Sequence, residues 1–452
     1  MNVKSLFLSL VVLLLPALAD ALGPHEVLVL AHKGSPGSLA LARRYVEWRH
    51  IPPSNLVELD LPPEYATGKL AIGLAAFKSQ ILKPAVTAAR DRGIDGHILA
   101  WVYSTDFPTR VDTPQPVSLT GATFLRGNLP VAEAILKADY VSPLFAGPER
   151  LRTTRSAAQT FDRYARWLGR DMPLPSMMLG YTGERGNTID EVRAALWRGV
   201  QSDHTAPTGT IYFVTTGDVR STCRAWQYEG GRLELARQGV RAVVSSTFPT
   251  GQTNVLGLMT GSASVKPERV GAYLPGAVAD HLTSFGGAFD HASQTKMTAW
   301  IKAGATLTAG TVAEPRALYQ KFPTARFYLY YAQGCTAIES FYQAVSCPFQ
   351  ILMLGDPLAS PWAADDRLSI VGLPQEPVSE AFTLKSTWQQ RDAMRFYSRN
   401  LWFLDGRPMG NHAQLAVDVA SLKAGAHEVR VVAYSTGLVR QQVFEVERFE
   451  VK

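Results

Sequence analysis

Asp280, His281 and Ser284 lie close together in the chain, and Asp290 and His291 follow soon after. A hydroxyl, an imidazole and a carboxylate are the groups of a serine hydrolase: the ring takes the hydroxyl proton, and the acid orients the ring. Ser284 with His281 and either Asp280 or Asp290 has those types. Two Asp-His pairs also offer donor atoms that suit zinc, although their spacing matches no strong metal signature. Structural hydrogen bonding or simple ligand binding is the third reading. Local geometry separates the first from the last. Three residues apart on a strand, His281 and Ser284 point to opposite faces; on a helix they are neighbours. The sequence permits both arrangements.

These groups sit in Tyr273 to Phe289, YLPGAVADHLTSFGGAF, which starts apolar and ends in a turn of small residues. Glycines there allow close approach of a ligand or of another backbone. Such loops gather functional groups because the scaffold behind them is rigid.

The elements that must position this stretch follow from periodicity. Val27 to Ala31 is an apolar run expected to form a buried strand. Ser38 is expected to cap a helix over Leu39 to Trp48. Leu56 to Leu61 is a second strand, Ala71 to Arg92 a helix that Pro84 could kink, and Gly96 to Tyr103 a third strand. Strand-helix alternation at these lengths predicts βαβ units with parallel pairing. Further strands are expected at Ser176 to Tyr181, Gly209 to Thr216, Val240 to Ser246, Gly304 to Val312 and Phe349 to Leu354. Helices are expected over Ser156 to Leu168, Thr188 to Gln201, Ser293 to Ala303 and Phe327 to Ala344. The aromatic residues of that last helix fit core packing better than a sugar platform.

Asp218 and Arg220 follow the strand ending at Thr216, where open α/β sheets place ligands; capping a helix is an equal role for Asp218. The turn Lys33 to Ser38 matches no dinucleotide fingerprint, and no phosphate-binding P-loop occurs. Ser35 and Ser38 therefore read as turn and cap residues. After Trp362, alternating runs at 381–387, 396–404, 415–418, 428–434 and 442–451 predict a β-sandwich.

The chain has 452 residues, enough for more than one core. Its 45 basic and 39 acidic side chains give a net charge of +6, not gathered into runs, which points away from nucleic acid. The N-terminal MNVKSLFLSLVVLLLPALADA has one lysine, an apolar run from Leu6 to Leu15, then Ala17, Ala19 and Ala21. That is the pattern of a secretory signal cleaved after Ala19 or Ala21; the run is short of the roughly 18–20 apolar residues of a membrane span. Three cysteines, Cys223, Cys335 and Cys347, leave at least one unpaired. Cys335 and Cys347 have two readings, a bridge or small buried residues.

Several separate strings occur in one order: Gly261-Ser262, Ser284 to Phe289, Gly304-Ala305 and Leu354 to Leu358. This order resembles the gingipain-type cysteine peptidases, which have a caspase-like α/β sheet, often with a β-sandwich after it. Val27 to Leu61, with Thr216 to Ser221 and Asp280 to Ser284, is also similar to a family of exported bacterial proteins found in exosortase-carrying species, over most of the mature chain. In gingipain-type enzymes a histidine followed by glycine ends one strand and a cysteine ends the next. The positions that look like these are Ser262 and Ser284. Thiol chemistry needs a thiolate and an imidazole, so the resemblance implies the fold and argues against that activity.

The expectation is therefore an α/β protein. A signal peptide over residues 1–19 precedes a caspase-like, doubly wound, mostly parallel sheet over 24–365. A small Ig-like all-β sandwich follows over 366–452. The expected role is binding or assembly at the cell envelope, in the periplasm or outside the cell. The expected partner is an envelope protein or polysaccharide, with no nucleic acid and no membrane span after signal removal. The alternative is a hydrolase. His281, Ser284 and Asp290 are the catalytic candidates; Asp218, Arg220, Ser262, Asp280 and His291 are the ligand-binding candidates. No metal ligand and no cofactor is assigned.

Overall fold

The computed structural model describes residues 22–148, 158–389, 395–435, 439 and 441–452. The expected signal segment and the start of the helix expected from Ser156 lie outside the described residues. In chain order the strands begin with β1 (Val27–His32), β2 (Leu56–Leu59), β3 (Ala71–Gly73), β4 (Ala100–Tyr103), β5 (Arg110–Asp112), β6 (Val117–Ser118) and β7 (Ser176–Met178). They continue with β8 (Thr210–Val214), β9 (Arg241–Ser245), β10 (Gln252–Gly261), β11 (Gly271–Leu282), β12 (Leu307–Thr311) and β13 (Ile351–Gly355). The last group is β14 (Arg367–Val371), β15 (Phe382–Gln389), β16 (Tyr397–Leu404), β17 (Arg407–Asn411), β18 (Gln414–Val417), β19 (Gly425–Ser435) and β20 (Gln442–Val451).

Ten strands form one sheet in the order β2-β1-β4-β7-β13-β12-β11-β10-β8-β9. The fold is thus α/β with a large, mixed, mostly parallel sheet. Every contact in it with more than one register pair is parallel except β12 with β13. β13 touches β7 through the single pair Leu354–Met178. Both faces of such a sheet are covered, so its central strands are continuous apolar runs. β1 (VLVLAH) and β13 (ILMLG) are buried along their whole length.

Helices flank the sheet, and their ends carry the signals that the sequence displays. Ser35, not Ser38, caps the first: its hydroxyl accepts from Ser38 N at 3.1 Å, and the helix spans Pro36–Trp48. Pro36 suits the first helical position because its missing N–H is not needed there. Thr188 and Glu191 close a capping box at the start of Ile189–Ser202. The helix expected over Ala71 to Arg92 begins after β3, and it widens to a π-turn over Phe77–Leu82 just before Pro84. Proline removes one hydrogen bond and crowds the preceding turn, which opens the backbone. The single helix expected over Phe327 to Ala344 is two, Arg326–Ala332 and Ala337–Ala344. Gly334 sits between them at φ 92°, which ends the first. Their aromatic residues Phe327, Tyr328, Tyr330, Tyr331, Phe341 and Tyr342 are all buried, in keeping with core packing.

From β14 onward the described residues form strands joined by loops, with one short turn of helix at Val419–Ser421. They form a three-stranded antiparallel sheet, β14-β15-β18, and a four-stranded one, β17-β16-β19-β20. Leu384, Trp402, Leu415, Val429 and Val431 from both sheets share one buried cluster. Among the described residues no helix is long and apolar enough to cross a membrane. Cys335 and Cys347 are buried and unbridged, and Cys223 is free as well.

Candidate functional site

The stretch carrying Asp280 and His281 is a strand. β11 lies between β10 and β12, with Met259↔Asp280, Thr260↔His281 and Asp280↔Ala309 in register. Adjacent strand residues face opposite layers. Asp280 turns toward the layer of Arg224 and Tyr328; His281 turns toward Trp300, whose ring it meets edge-on at 5.9 Å.

Asp280 is almost wholly buried, and it pairs with Arg224, which has no exposed side-chain surface. Arg224 also donates to Thr260 O at 2.6 Å and Pro323 O at 3.1 Å. Burial pushes the Asp280 carboxyl up, and Arg224 pulls it back. Burial also works against the guanidinium, but Asp280 and Tyr228 together more than offset it and keep Arg224 charged. The pair is ionic, and the guanidinium ties β11 to β10 and to the segment at Pro323.

His281 is 3% exposed, and its Nε2 lies 2.8 Å from the carbonyl of Ser262. A carbonyl only accepts, so Nε2 carries the proton and donates it. Nδ1 is buried without a hydrogen-bond partner. Burial, with a smaller push from Arg224 and Arg220, drives the imidazole down to about 4. At neutral pH this ring is uncharged and a poor proton acceptor.

Ser284 follows the end of β11 and is 8% exposed. Its carbonyl accepts from Thr311 Oγ1 at 2.9 Å. The loop then folds back over β12: Gly287 N donates to Thr311 O at 2.9 Å and Met297 N to Gly286 O at 2.8 Å. A Cβ on Gly310 would lie 2.8 Å from the backbone of Gly286 and Gly287, so glycine is required for this closeness. Lys296 Nζ donates to Phe285 O and Ser293 O, each at 2.8 Å, and burial lowers its amine to about 8.

The remaining candidates divide between two places. Asp218 caps the turn after β8 by accepting from Arg220 N at 2.9 Å, and the Arg220 guanidinium folds back onto the same carboxylate at 3.1 Å. Thr216 Oγ1 donates to Gly261 O at 2.9 Å, and a Cβ on Gly261 would meet Arg220 O at 2.1 Å. Asp218, Arg220, Ser262 and His281 therefore share one end of β8, β10 and β11. Ser262 itself donates to Ser264 O at 3.3 Å. Asp290 and His291 lie farther along the loop and are exposed. Asp290 accepts from Arg110 Nη1 at 2.6 Å, while His291 pairs with Ser293 Oγ at 2.8 Å and stacks on Phe285 at 4.0 Å. Among the described residues no hydrogen bond joins Ser284 to a histidine or Asp290 to a histidine. No three His, Cys, Asp or Glu side chains gather there as metal ligands.

Loops following β2, β4, β7 and β11 meet beside this stretch. Phe289 stacks on Tyr181 at 3.9 Å, and Arg185 donates to Phe289 O at 2.7 Å. A cavity of about 230 Å³ opens there, lined by Tyr65, Thr67, Asp106, Tyr181, Thr182 and Gly183. Asp106 accepts from Thr182 Oγ1 at 2.9 Å and also from Ser35 Oγ. The sequence reading overlooked Arg224, Arg110 and this cavity. Isolated arginines far from their acids carry no periodic signal, and a cavity built by several loops leaves none in any one of them.

The chain matches no known family model and no curated protein sequence.

Proposed function

We propose that this chain is an exported envelope protein that binds or assembles and does not cleave. In this reading the ten-stranded sheet is a caspase-like frame, and residues 366–452 are a β-sandwich beside it. One observation carries it: His281, the one imidazole on the strand that leads to Ser284, is neutral, buried and committed through Nε2 to the Ser262 carbonyl. A general base must reach the proton it removes and must be basic enough to hold it. The two candidate acids are also engaged, Asp280 by Arg224 and Asp290 by Arg110. The resemblance to gingipain-type enzymes, with serines where they carry histidine and cysteine, supports the same conclusion.

The partner, an envelope protein or polysaccharide, would meet the crest beside the Phe289–Tyr181 stack, where aromatic and hydroxyl groups line an open cavity. Purified protein should leave peptide libraries uncut, wild type and Ser284→Ala alike. Turnover that disappears in Ser284→Ala would overturn this reading in favour of a hydrolase using Ser284 with His281. Arrays of envelope glycans and peptides should show retention that Tyr181→Ala loses.

A further inference from the structure

The first described residue is not on the surface. Leu22 is 3% exposed, and its backbone nitrogen donates to Glu339 Oε1 at 2.9 Å. Gly23 N donates to Glu26 Oε2 at 2.7 Å. Glu339 is wholly buried and Glu26 nearly so. The other donors to Glu339 are neutral: Phe161 N at 3.0 Å, Thr336 N at 3.0 Å and Thr336 Oγ1 at 2.8 Å. Among the described residues no lysine or arginine pairs with Glu339 or Glu26. Among the described residues the basic group at Glu26 is His25, 3.8 Å away, and burial holds that ring well below its usual range. A buried carboxylate without a counter-ion is costly and ordinarily takes up a proton. Burial accordingly raises Glu339 to about 7, and burial followed by Asp162 raises Glu26.

The missing cation is one bond away in the sequence. Ala17-Leu18-Ala19 and Ala19-Asp20-Ala21 both have the small-x-small pattern that signal endopeptidases cut after. The two frames differ in what they leave at Leu22. We propose that the leader is removed between Ala21 and Leu22, and that the new α-ammonium of Leu22 is the counter-ion of buried Glu339. In that step a signal endopeptidase adds water across the Ala21–Leu22 amide. The hydroxyl goes to the Ala21 carbonyl carbon, the C–N bond breaks, and the Leu22 nitrogen leaves as an amine that is protonated at neutral pH. The nitrogen then points a full charge where it had pointed an amide dipole. A cavity of about 300 Å³, lined in part by Leu22, Gly23, Thr336 and Gln442, leaves room for water on the other N–H groups. Cutting after Ala19 instead would leave an amide at Leu22 and put the new α-ammonium on Asp20, two residues away in the chain.

This inference rests on the export reading, but its test does not. Three forms are made in the cytoplasm without a leader, by a protease that cuts at a chosen bond: one starting at Leu22, one at Ala21, and the Leu22 form with its α-amine acetylated. The Leu22 form should unfold with an equilibrium constant about tenfold lower than the other two, the size of a hydrogen bond to a charged group. In Glu339→Gln the three should become equal. Equal stability of the three forms in the wild-type background would overturn the ion pair. Intact mass of protein recovered after export should give Leu22 as the first residue; a start at Asp20 would overturn the cleavage site. A full-length mass would count against export and against the cleavage, while the comparison of the three forms would still decide the pairing.

Discussion

The carboxylate of Asp280 and the guanidinium of Arg224 form an ion pair inside the protein, between the sheet and the helices on one of its faces. Breaking a buried pair from one side leaves an uncompensated charge, which costs about 3–5 kcal/mol. Arg224→Met should cost that much in chemical denaturation. Arg224→Met with Asp280→Asn should recover a large part of it, because no charge remains to be desolvated. Equal losses in the single and double variants would show that Arg224 acts through packing alone.

His281 makes stability depend on pH. Its folded value, about 4, lies below its unfolded value of 6.5. Between those values the unfolded chain binds a proton that the folded chain refuses, so stability falls as pH falls through this window. His281→Gln, whose amide can still donate to Ser262 O, should reduce that slope by up to about 1.4 kcal/mol per pH unit. Half-buried His97, also lowered to about 4, keeps its own contribution of the same sign, so the difference between wild type and variant is the quantity to measure. By NMR, the His281 ring should show no titration above pH 5.5.

Gly310→Ala tests how the loop after β11 is seated. The added methyl would collide with the backbone of Gly286 and Gly287, which cannot retreat as a flexible side chain could. Overpacking of this kind costs about 1–3 kcal/mol. Amide exchange over residues 284–297 should speed up in the variant while β1 and β4 stay protected.

Asp290→Asn should change stability little. Its ion pair with Arg110 is exposed on the Asp290 side, and such pairs contribute at most about 1 kcal/mol. Thermal unfolding should shift by no more than a few degrees, and the shift should shrink in high salt.

The strand-helix alternation was legible because apolar runs covered on both faces and capped amphipathic helices each leave a periodic trace. The runs at 381–387, 396–404, 415–418, 428–434 and 442–451 correspond closely to β15, β16, β18, β19 and β20. β10 was not legible. Its first residues, Gln252 to Asn254, are polar and outside the core, Gly257 interrupts it, and it is a strand because β8 and β11 pair with it on both sides. The site was legible in part. Asp280, His281 and Ser284 were visible as residue types, but their separation depended on a strand assignment that three-residue spacing leaves open. Asp356 shows the same limit. Close by in the chain it accepts from Leu358 N at 3.1 Å. It also accepts from Tyr45 Oη at 2.9 Å and pairs with Arg49, which in turn pairs with Asp203. No local pattern connects residues so far apart in the chain.

Neighbouring positions on β11 have incompatible surroundings. Sliding the strand by a single residue would turn the carboxylate toward the layer of Trp300 and the imidazole toward the layer of Arg224. Neither side could accept the exchange, so the two layers together act as a key that fits in one position. A one-residue insertion within β11 just before Ala279 should therefore be rejected far more harshly than one in the loop at 264–266, between β10 and β11, whatever the protein binds.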